Sequence, residues 1–377
     1  MVEEKVKLKN VFKNKENRIG IIFIVIVLVV LFYKNFDVPN FIKSINPQKG
    51  DFIKVGKMSK PRSNHEAILL DDGNVLVLGG GNKNAEIYNF KTKKFTTVGM
   101  MLPFTGHKNL TKLNNGKVLI TGGDLGYAQK TTQFYNPEIK NFEEGPDMNY
   151  PRAEETATLL KDGRVLIVGG DNVYYLDKRN VSNEIYNPKT NKFELAPKTN
   201  IPRFSHSAIL LKDGRVLIVG GSTKGAKLLN AEIYNPKTNK FESAGNINIA
   251  RVHPNLYLLK NGKVVITSHF DKEIEEYTPL ATGFKIITKR DLSAKMPAET
   301  KLSDDKIIFL GGCSGVGLSL TCYTSSEIFD PKTMTFVKSG NMNYQRECHK
   351  ATLLQDGNVL ITGSTGTGRT AELYISK

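Results

Sequence analysis

The sequence predicts an all-β repeat fold of seven tandem units, preceded by one apolar helix. Three observations carry this reading. A hairpin signal, Asp-Gly or Asn-Gly in six of seven cases, recurs through residues 50–377. Each signal is followed by a Val/Leu/Ile strand, which ends in Gly-Gly in five units. A segment of Glu-x-Tyr type comes next, and then a Phe at constant distance. Self-similarity at a fixed period decides architecture before length does, although 377 residues alone favour two domains. The composition, 40% hydrophobic and 24% charged, is that of a chain able to bury a core.

The first element is the apolar run 19–33, which follows the basic tail 1–18 with its Lys5, Lys7, Lys9, Lys13, Lys15 and Arg18. A cleaved signal peptide and an uncleaved anchor both fit such a run. It is short beside the roughly 20 residues of a usual span. The following Lys34-Asn35-Phe36-Asp37-Val38-Pro39 offers no small-x-small cleavage site, however, and Arg18 and Lys34 can snorkel. The expectation is a signal anchor over 19–33 in the cell membrane. The basic flank keeps 1–18 in the cytoplasm and puts the linker 34–49 and the domain 50–377 on the extracytoplasmic side. The net charge of +16 comes mostly from lysines scattered through turns, as on a solvated surface. A nucleic-acid partner is therefore not expected.

The repeated unit is clearest over 199–241. It reads Arg-x-x-His, Leu-x-Asp-Gly-x-Val-Leu-x-x-Gly-Gly, and Ala-Glu-x-Tyr-x-Pro-x-Thr-x-x-Phe. The seven turns are Asp72-Gly73, Asn115-Gly116, Asp162-Gly163, Asp213-Gly214, Asn261-Gly262, Asp304-Asp305 and Asp356-Gly357. In Asp-Gly and Asn-Gly both central residues tolerate positive φ, which makes them the strongest short hairpin signal. This pattern resembles the kelch repeat, and more closely the propeller of galactose oxidase-like proteins. The resemblance implies a seven-bladed kelch-type β-propeller, one four-stranded antiparallel blade per unit, with the first strand innermost.

The last unit stops at Tyr374, too early for a fourth strand. Phe52-Ile53-Lys54-Val55-Gly56-Lys57-Met58 repeats the form of Phe336-Val337-Lys338-Ser339-Gly340-Asn341-Met342. The N-terminal strand is thus expected to close blade seven, which pairs two otherwise open edges. With antiparallel order the Asp-Gly turns lie on one face, here called the bottom. There the spacing from the third-strand aromatic to the fourth-strand Phe is seven residues in all six complete units, whereas the top loops vary in length. Function on a repeat scaffold sits where loops vary.

Five units carry an Arg at the mouth of the inner strand: Arg62, Arg152, Arg203, Arg251 and Arg346. They read as a ring of ligand-binding guanidinium groups for carboxylate or phosphate. The other reading, which fivefold repetition favours, is an ion pair within each blade to the Glu of Glu-x-Tyr, at Glu86, Glu184, Glu232, Glu275, Glu327 or Glu372. Tyr174, Tyr175 and Phe204 on the long top loops are the aromatic ligand contacts expected. His65, His206 and His349 stand three residues after such an Arg. Equivalent positions lie far apart around a ring, so the expectation is that each packs within its own blade rather than binding metal. Cys313 and Cys322 flank the longest top loop and are a possible disulfide. The three cysteines lack the paired short spacings of a zinc site.

Galactose oxidase-like enzymes hold copper through Tyr and His with a stacking Trp. This chain has no Trp and no Tyr-His dipeptide, so neither copper chemistry nor any other cofactor or metal is expected. Certain sialic acid epimerases are also kelch propellers and need only acid/base side chains. Glu154, Glu155 and Glu347 are the top-face carboxylates nearest the Arg positions. The resulting expectation is a membrane-anchored module, not an enzyme, that binds a protein or glycan partner through its top face. The alternatives are a sugar-modifying enzyme of epimerase or mutarotase type, or a scaffold of an envelope complex. They differ in a visible way. An enzyme brings two or more ionisable side chains into one top pocket, whereas a binder presents a broad surface with exposed aromatics.

Overall fold

The computed structural model describes Lys43 and residues 46–377, apart from 102–105, 125–127, 171–182, 224, 280–282, 291–295, 316–320 and 367. The basic tail, the anchor 19–33, Tyr174 and Tyr175 lie outside the described residues. Among those described, no helix is long and apolar enough to cross a membrane.

Seven four-stranded antiparallel sheets follow one another around an axis. Inner strands of successive blades lie side by side, for example Thr156–Leu159 against Ser207–Leu210, and the last, Lys350–Leu353, meets the first, His65–Leu69. The second strand of each blade is buried on both faces, because it is covered by the blade before and the blade after. That is why it reads as a continuous apolar run: Val216, Leu217, Ile218 and Val219 are all fully buried. The core is accordingly a set of layers between blades. Leu217, Val219 and Ile233 of blade four, for example, pack on Val264, Ile266 and Tyr277 of blade five. Outer strands such as Lys192–Leu195 bury little, and only Phe193 of these four residues is buried.

In each complete blade the third-strand aromatic stacks on the fourth-strand Phe, with ring centroids 5.1 Å apart for Tyr88 and Phe95 and 4.8 Å for Tyr277 and Phe284. Blade seven makes the same pair from opposite ends of the chain. Phe52–Lys54 joins Ala371–Tyr374 in antiparallel register, and Phe52 stacks on Tyr374 at 5.1 Å. The seven-bladed fold and its closure by the N-terminal strand are therefore as expected.

The hairpin turns differ in detail from the sequence reading. Only the glycine takes positive φ, 82° at Gly73, and its N–H donates to the Leu70 carbonyl. Asp72 stays right-handed and accepts from the Asn74 N–H, giving a three-residue loop with a left-handed third position. Where glycine is missing, Asp305 adopts φ 73° in its place.

The first glycine of each Gly-Gly has a different purpose. Atoms of the following blade crowd the space where its Cβ would lie. Glu155 fills the place at Gly122, the Arg203 carbonyl and His206 at Gly169, the Arg251 carbonyl at Gly220, and the Arg62 carbonyl and His65 at Gly363, while Lys108 only touches the place at Gly79. Gly169→Ala would meet both the Arg203 carbonyl and the His206 ring at φ 63°. The expected result is a loss of about 2–3 kcal/mol, the scale of a residue held in a strained backbone region, measured by urea unfolding.

Candidate functional site

The five arginines are not presented to a ligand. All are at most 2% exposed and turn into the blades. Arg62 meets Glu86 at 3.1 Å, Arg152 meets Glu184 at 2.7 Å and Arg203 meets Glu232 at 2.5 Å. Arg251 meets Glu275 at 3.1 Å, and Arg346 meets Glu372 at 2.9 Å. Several of these guanidinium groups also donate to the carbonyl of the first glycine, at Gly79, Gly169, Gly220 and Gly363. The Glu in turn accepts backbone N–H groups of the strand-to-strand link, such as Ser59 and Asn149. The ring of ligand-binding arginines is thus corrected to a set of buried ion pairs that fix where the chain enters each blade. Blade six has no Arg of its own at this point, yet Glu327 is paired. Arg290 supplies the cation at 2.9 Å and lies over the Phe309 ring at 4.2 Å.

The histidines are buried as well, but they reach across a blade boundary rather than staying within one blade. His65 Nε2 bonds Thr362 Oγ1 at 2.8 Å, and His206 Nε2 bonds Thr156 Oγ1 at 3.0 Å. Burial, helped by nearby cations, holds both rings well below the ordinary imidazole range and therefore neutral. Phe204 is half-buried, and its backbone exchanges two hydrogen bonds with Ser222.

A pocket of about 730 Å³ opens on the top face. Blade one contributes Asn64 and Glu66, blade five His253, His269 and Phe270, blade six Met296, and blade seven Cys348, His349 and Lys350. Four of these residues, Asn64, His253, Met296 and Cys348, share an unusual backbone with φ between 48° and 55°. Asn64, His253 and Cys348 stand two residues after the Arg of their units, and Met296 takes the corresponding place in blade six, which lacks that Arg. Adjacent ones are linked by backbone hydrogen bonds, from Asn64 N–H to the Cys348 carbonyl and from His253 N–H to the Ser205 carbonyl. A left-handed non-glycine residue is uncommon, and such residues cluster at functional sites. Here the kinked residues of blades one, five, six and seven all line the pocket. His65 and His206 lie one position further along, whereas Glu154, one of the top-face carboxylates marked by the sequence, takes this position in blade three with φ 59°. The pattern that marks it is the second residue after the Arg in five blades, and the blade-six member, Met296, falls outside that pattern.

Charge in the pocket is concentrated around Glu66. Lys350 pairs with it across the blade boundary at 3.0 Å. Lys108, almost buried behind the second strand of blade one, also feels Glu66. Burial outweighs that carboxylate and, with Arg62 adding to it, pushes the Lys108 ammonium down to about 8. Burial likewise brings His349 down to about 3, so it is neutral. Two lysines around one carboxylate leave a surplus positive charge below pH 8. Deeper in, Glu155 is raised by burial although Asn109 and Thr121 donate to it. Glu154 contacts Ser205 Oγ. A smaller hollow on the bottom face, between Asp162 and Lys237, is lined by turn charges already paired to each other, as Asp162 with Arg164 and Asp213 with Arg215.

Beside the pocket, Cys313 and Cys322 form a disulfide, one of the two states their positions allowed. Glu347 lies against it, and the two sulfurs and a carboxylate oxygen fall within 4.8 Å of one another.

No family profile and no curated relative matches the sequence. Many solved chains match the fold. One is described as a novel fungal alcohol oxidase with catalytic diversity among the AA5 family, in complex with copper. It is 16% identical with a TM-score of 0.67, over 87% of this chain and 76% of that one. The fold resembles that of the AA5 oxidases. At this identity the likeness carries the seven-bladed architecture and nothing finer.

The expectation of a protein- or glycan-binding module without enzymatic activity is corrected. The fold is one that a solved oxidase uses, the described residues include a group of metal-ligand type at Cys313, Cys322 and Glu347, and ionisable side chains converge in one top pocket. The described His, Cys, Asp and Glu offer copper no set of nitrogen and oxygen donors. Copper(II) takes nitrogen and oxygen donors in a tight set. Among the described His, Cys, Asp and Glu, only the Cys313, Cys322 and Glu347 atoms come so close together, and the two sulfurs are bonded to each other. No step is therefore drawn through copper.

Proposed function

We propose that the chain is a sugar-modifying enzyme of epimerase or mutarotase type, with the top pocket as its active site. The observation that carries this reading is the convergence of ionisable groups from blades one, five and seven into one cavity. Mutarotation needs a base to take the anomeric hydroxyl proton and an acid to protonate the ring oxygen as the ring C–O bond breaks; after the carbonyl turns, the two groups reverse roles and the ring recloses. Glu66 and His269 sit on blades one and five, three steps apart in a ring of seven, so they address a bound sugar from nearly opposite sides. Positioned acid and base groups of this kind contribute roughly 10²–10⁴-fold each. Lys350 holds the Glu66 carboxylate in place, and the surplus positive charge favours a sugar bearing an acid group. Phe270 and Met296, 48% and 37% exposed, offer the apolar surface on which a pyranose face stacks.

The test follows anomeric equilibration of freshly dissolved uronic acids and N-acetylneuraminate by proton NMR with the full-length chain. Acceleration is expected, and Glu66→Gln or His269→Ala should lower kcat/KM by about 10²-fold or more without changing the melting temperature. If no acid or neutral sugar is turned over while primary alcohols drive oxygen consumption, the reading fails in favour of an oxidase. A pH profile adds a second check. Lys108 is charged below about pH 8 and neutral above it, so kcat/KM for an acid sugar should fall as pH rises through that value. Lys108→Met should remove this limb of the profile.

The apolar run 19–33 supports a further part of the reading, in which the propeller is anchored to the cell membrane with the pocket outside. Full-length protein is then expected in the membrane fraction with its N-terminus intact. Recovery of a mature chain that starts beyond residue 33 would overturn the anchor.

A further inference from the structure

We propose that Cys313, Cys322 and Glu347 form a thiol-gated binding site for a divalent cation of zinc type, closed while the cysteines are disulfide-bonded and open once they are reduced. This site is separate from the chemistry assigned to the pocket.

Cys313–Ser314 and Thr321–Cys322 form a two-stranded ribbon above blade six, in which Cys313 stands directly opposite Cys322 with Cα atoms 3.9 Å apart. Cross-strand neighbours put their side chains on one face of a ribbon. The ribbon is fixed at its base by Tyr323 N–H on the Gly312 carbonyl at 2.9 Å, and Ser314 Oγ meets Tyr323 Oη at 2.6 Å. Gly312 N–H donates to the Arg346 carbonyl of blade seven at 3.1 Å, and this contact lays the next residue, Glu347, against the sulfurs. Thr365 Oγ1 donates to one oxygen of that carboxylate and orients it, as an outer partner does for a metal ligand.

These are the donor types zinc takes, thiolate and carboxylate. A tetrahedral ion at about 2.3 Å from each sulfur holds the sulfurs roughly 3.8 Å apart, within reach of side chains on facing strands. Three protein ligands leave the fourth position to water. The disulfide links residues only nine apart, on strands that already pair, so opening it removes little of what holds the propeller together. Reduction by a dithiol transfers two electrons and two protons. The S–S bond breaks, two thiols form, and the reductant leaves as its own disulfide. On binding, each thiol gives its proton to solvent and the cation takes the two thiolates and the carboxylate.

The test uses the full-length chain, reduced with excess dithiol, desalted without oxygen and titrated with cobalt(II), then with zinc in competition. One equivalent of cobalt should bind the reduced chain with a thiolate charge-transfer band in the near ultraviolet, and zinc should displace it. The oxidised chain should show no such band. Cys313→Ser should abolish the band, Cys348→Ser should leave it, and Thr365→Val should weaken affinity about 10- to 100-fold. Reduced wild-type chain alkylated with iodoacetamide is the control that needs no mutation, and it should also lose the band. The proposal is overturned if the reduced chain binds no cobalt with a thiolate band. It is equally overturned if the band survives Cys313→Ser or alkylation, or if the oxidised chain binds as well as the reduced one.

Discussion

Glu184→Gln is expected to destabilise the propeller by about 3–5 kcal/mol, the range for leaving one member of a buried ion pair without its partner. Neither Glu184 nor Arg152 has any exposed side-chain surface, and they meet at 2.7 Å. The carboxylate also accepts the Asn149 N–H at 2.8 Å, the Asn149 side-chain amide at 2.7 Å and the Tyr150 N–H at 3.1 Å. Glutamine keeps the shape but removes the charge, and its amide N–H₂ faces donors where an acceptor is needed. Arg152 still bonds the Gly169 carbonyl, which does not neutralise it. Urea unfolding of the propeller measures the loss. The double variant Arg152→Met with Glu184→Leu should lose less than Glu184→Gln alone, because no charge is then left in the interior. A double variant as unstable as the sum of the two single changes would show that the pair contributes through packing and not through charge. Because the same pair recurs in five blades, and in blade six by way of Arg290, the result also bears on why the motif repeats.

What the sequence made legible follows from what repeats. The second-strand runs, the glycine turns and the Tyr–Phe spacing obey one steric rule seven times over, so a single unit such as 199–241 explains the others. The closure by Phe52 was legible for the same reason, because it completes a pattern that Tyr374 leaves unfinished. The direction of the arginines was not. An Arg at a strand mouth suits a ligand as well as a partner in its own blade, and only the register that sets Arg62 beside Glu86 decides. Arg290 was invisible because it reaches Glu327 from outside the motif. The pocket was missed because its residues are joined by backbone shape, a left-handed residue at Asn64, His253, Met296 and Cys348, and share no side-chain type. The Glu347 contact with the disulfide needed the packing of blade seven on the ribbon of blade six, and no local pattern encodes that.

Deleting residues 50–57 is expected to lower the thermal midpoint of the whole propeller by more than about 10 °C, although it removes a single short strand. Phe52 and Ile53 are 1% and 2% exposed. Ile53 packs between blades seven and one with Tyr88 and Leu373, and Phe52 packs with Met342 and Tyr374 on the side of blade six. Removing side chains of this kind costs roughly 2–5 kcal/mol each. The main chain adds to this, since Gly50 N–H donates to the Ile375 carbonyl, Ile375 N–H donates to the Asp51 carbonyl, and Asn343 Nδ2 holds the Phe52 carbonyl. Without them Ala371–Tyr374 becomes an open edge at the point where the two ends of the chain meet. A midpoint falls by about 2–4 °C per kcal/mol in domains of 150–250 residues, so the middle of these costs, about 7 kcal/mol for the two side chains together, gives the stated drop. Phe52→Ala isolates the stacked ring and should produce roughly a third to a half of the effect, on the scale of a buried Phe truncation. Should the deleted chain melt where the intact one does, blade seven would not depend on its N-terminal strand. The seam between blades seven and one, which carries the Glu66–Lys350 pair of the pocket, would then have to be held by the inner strands alone.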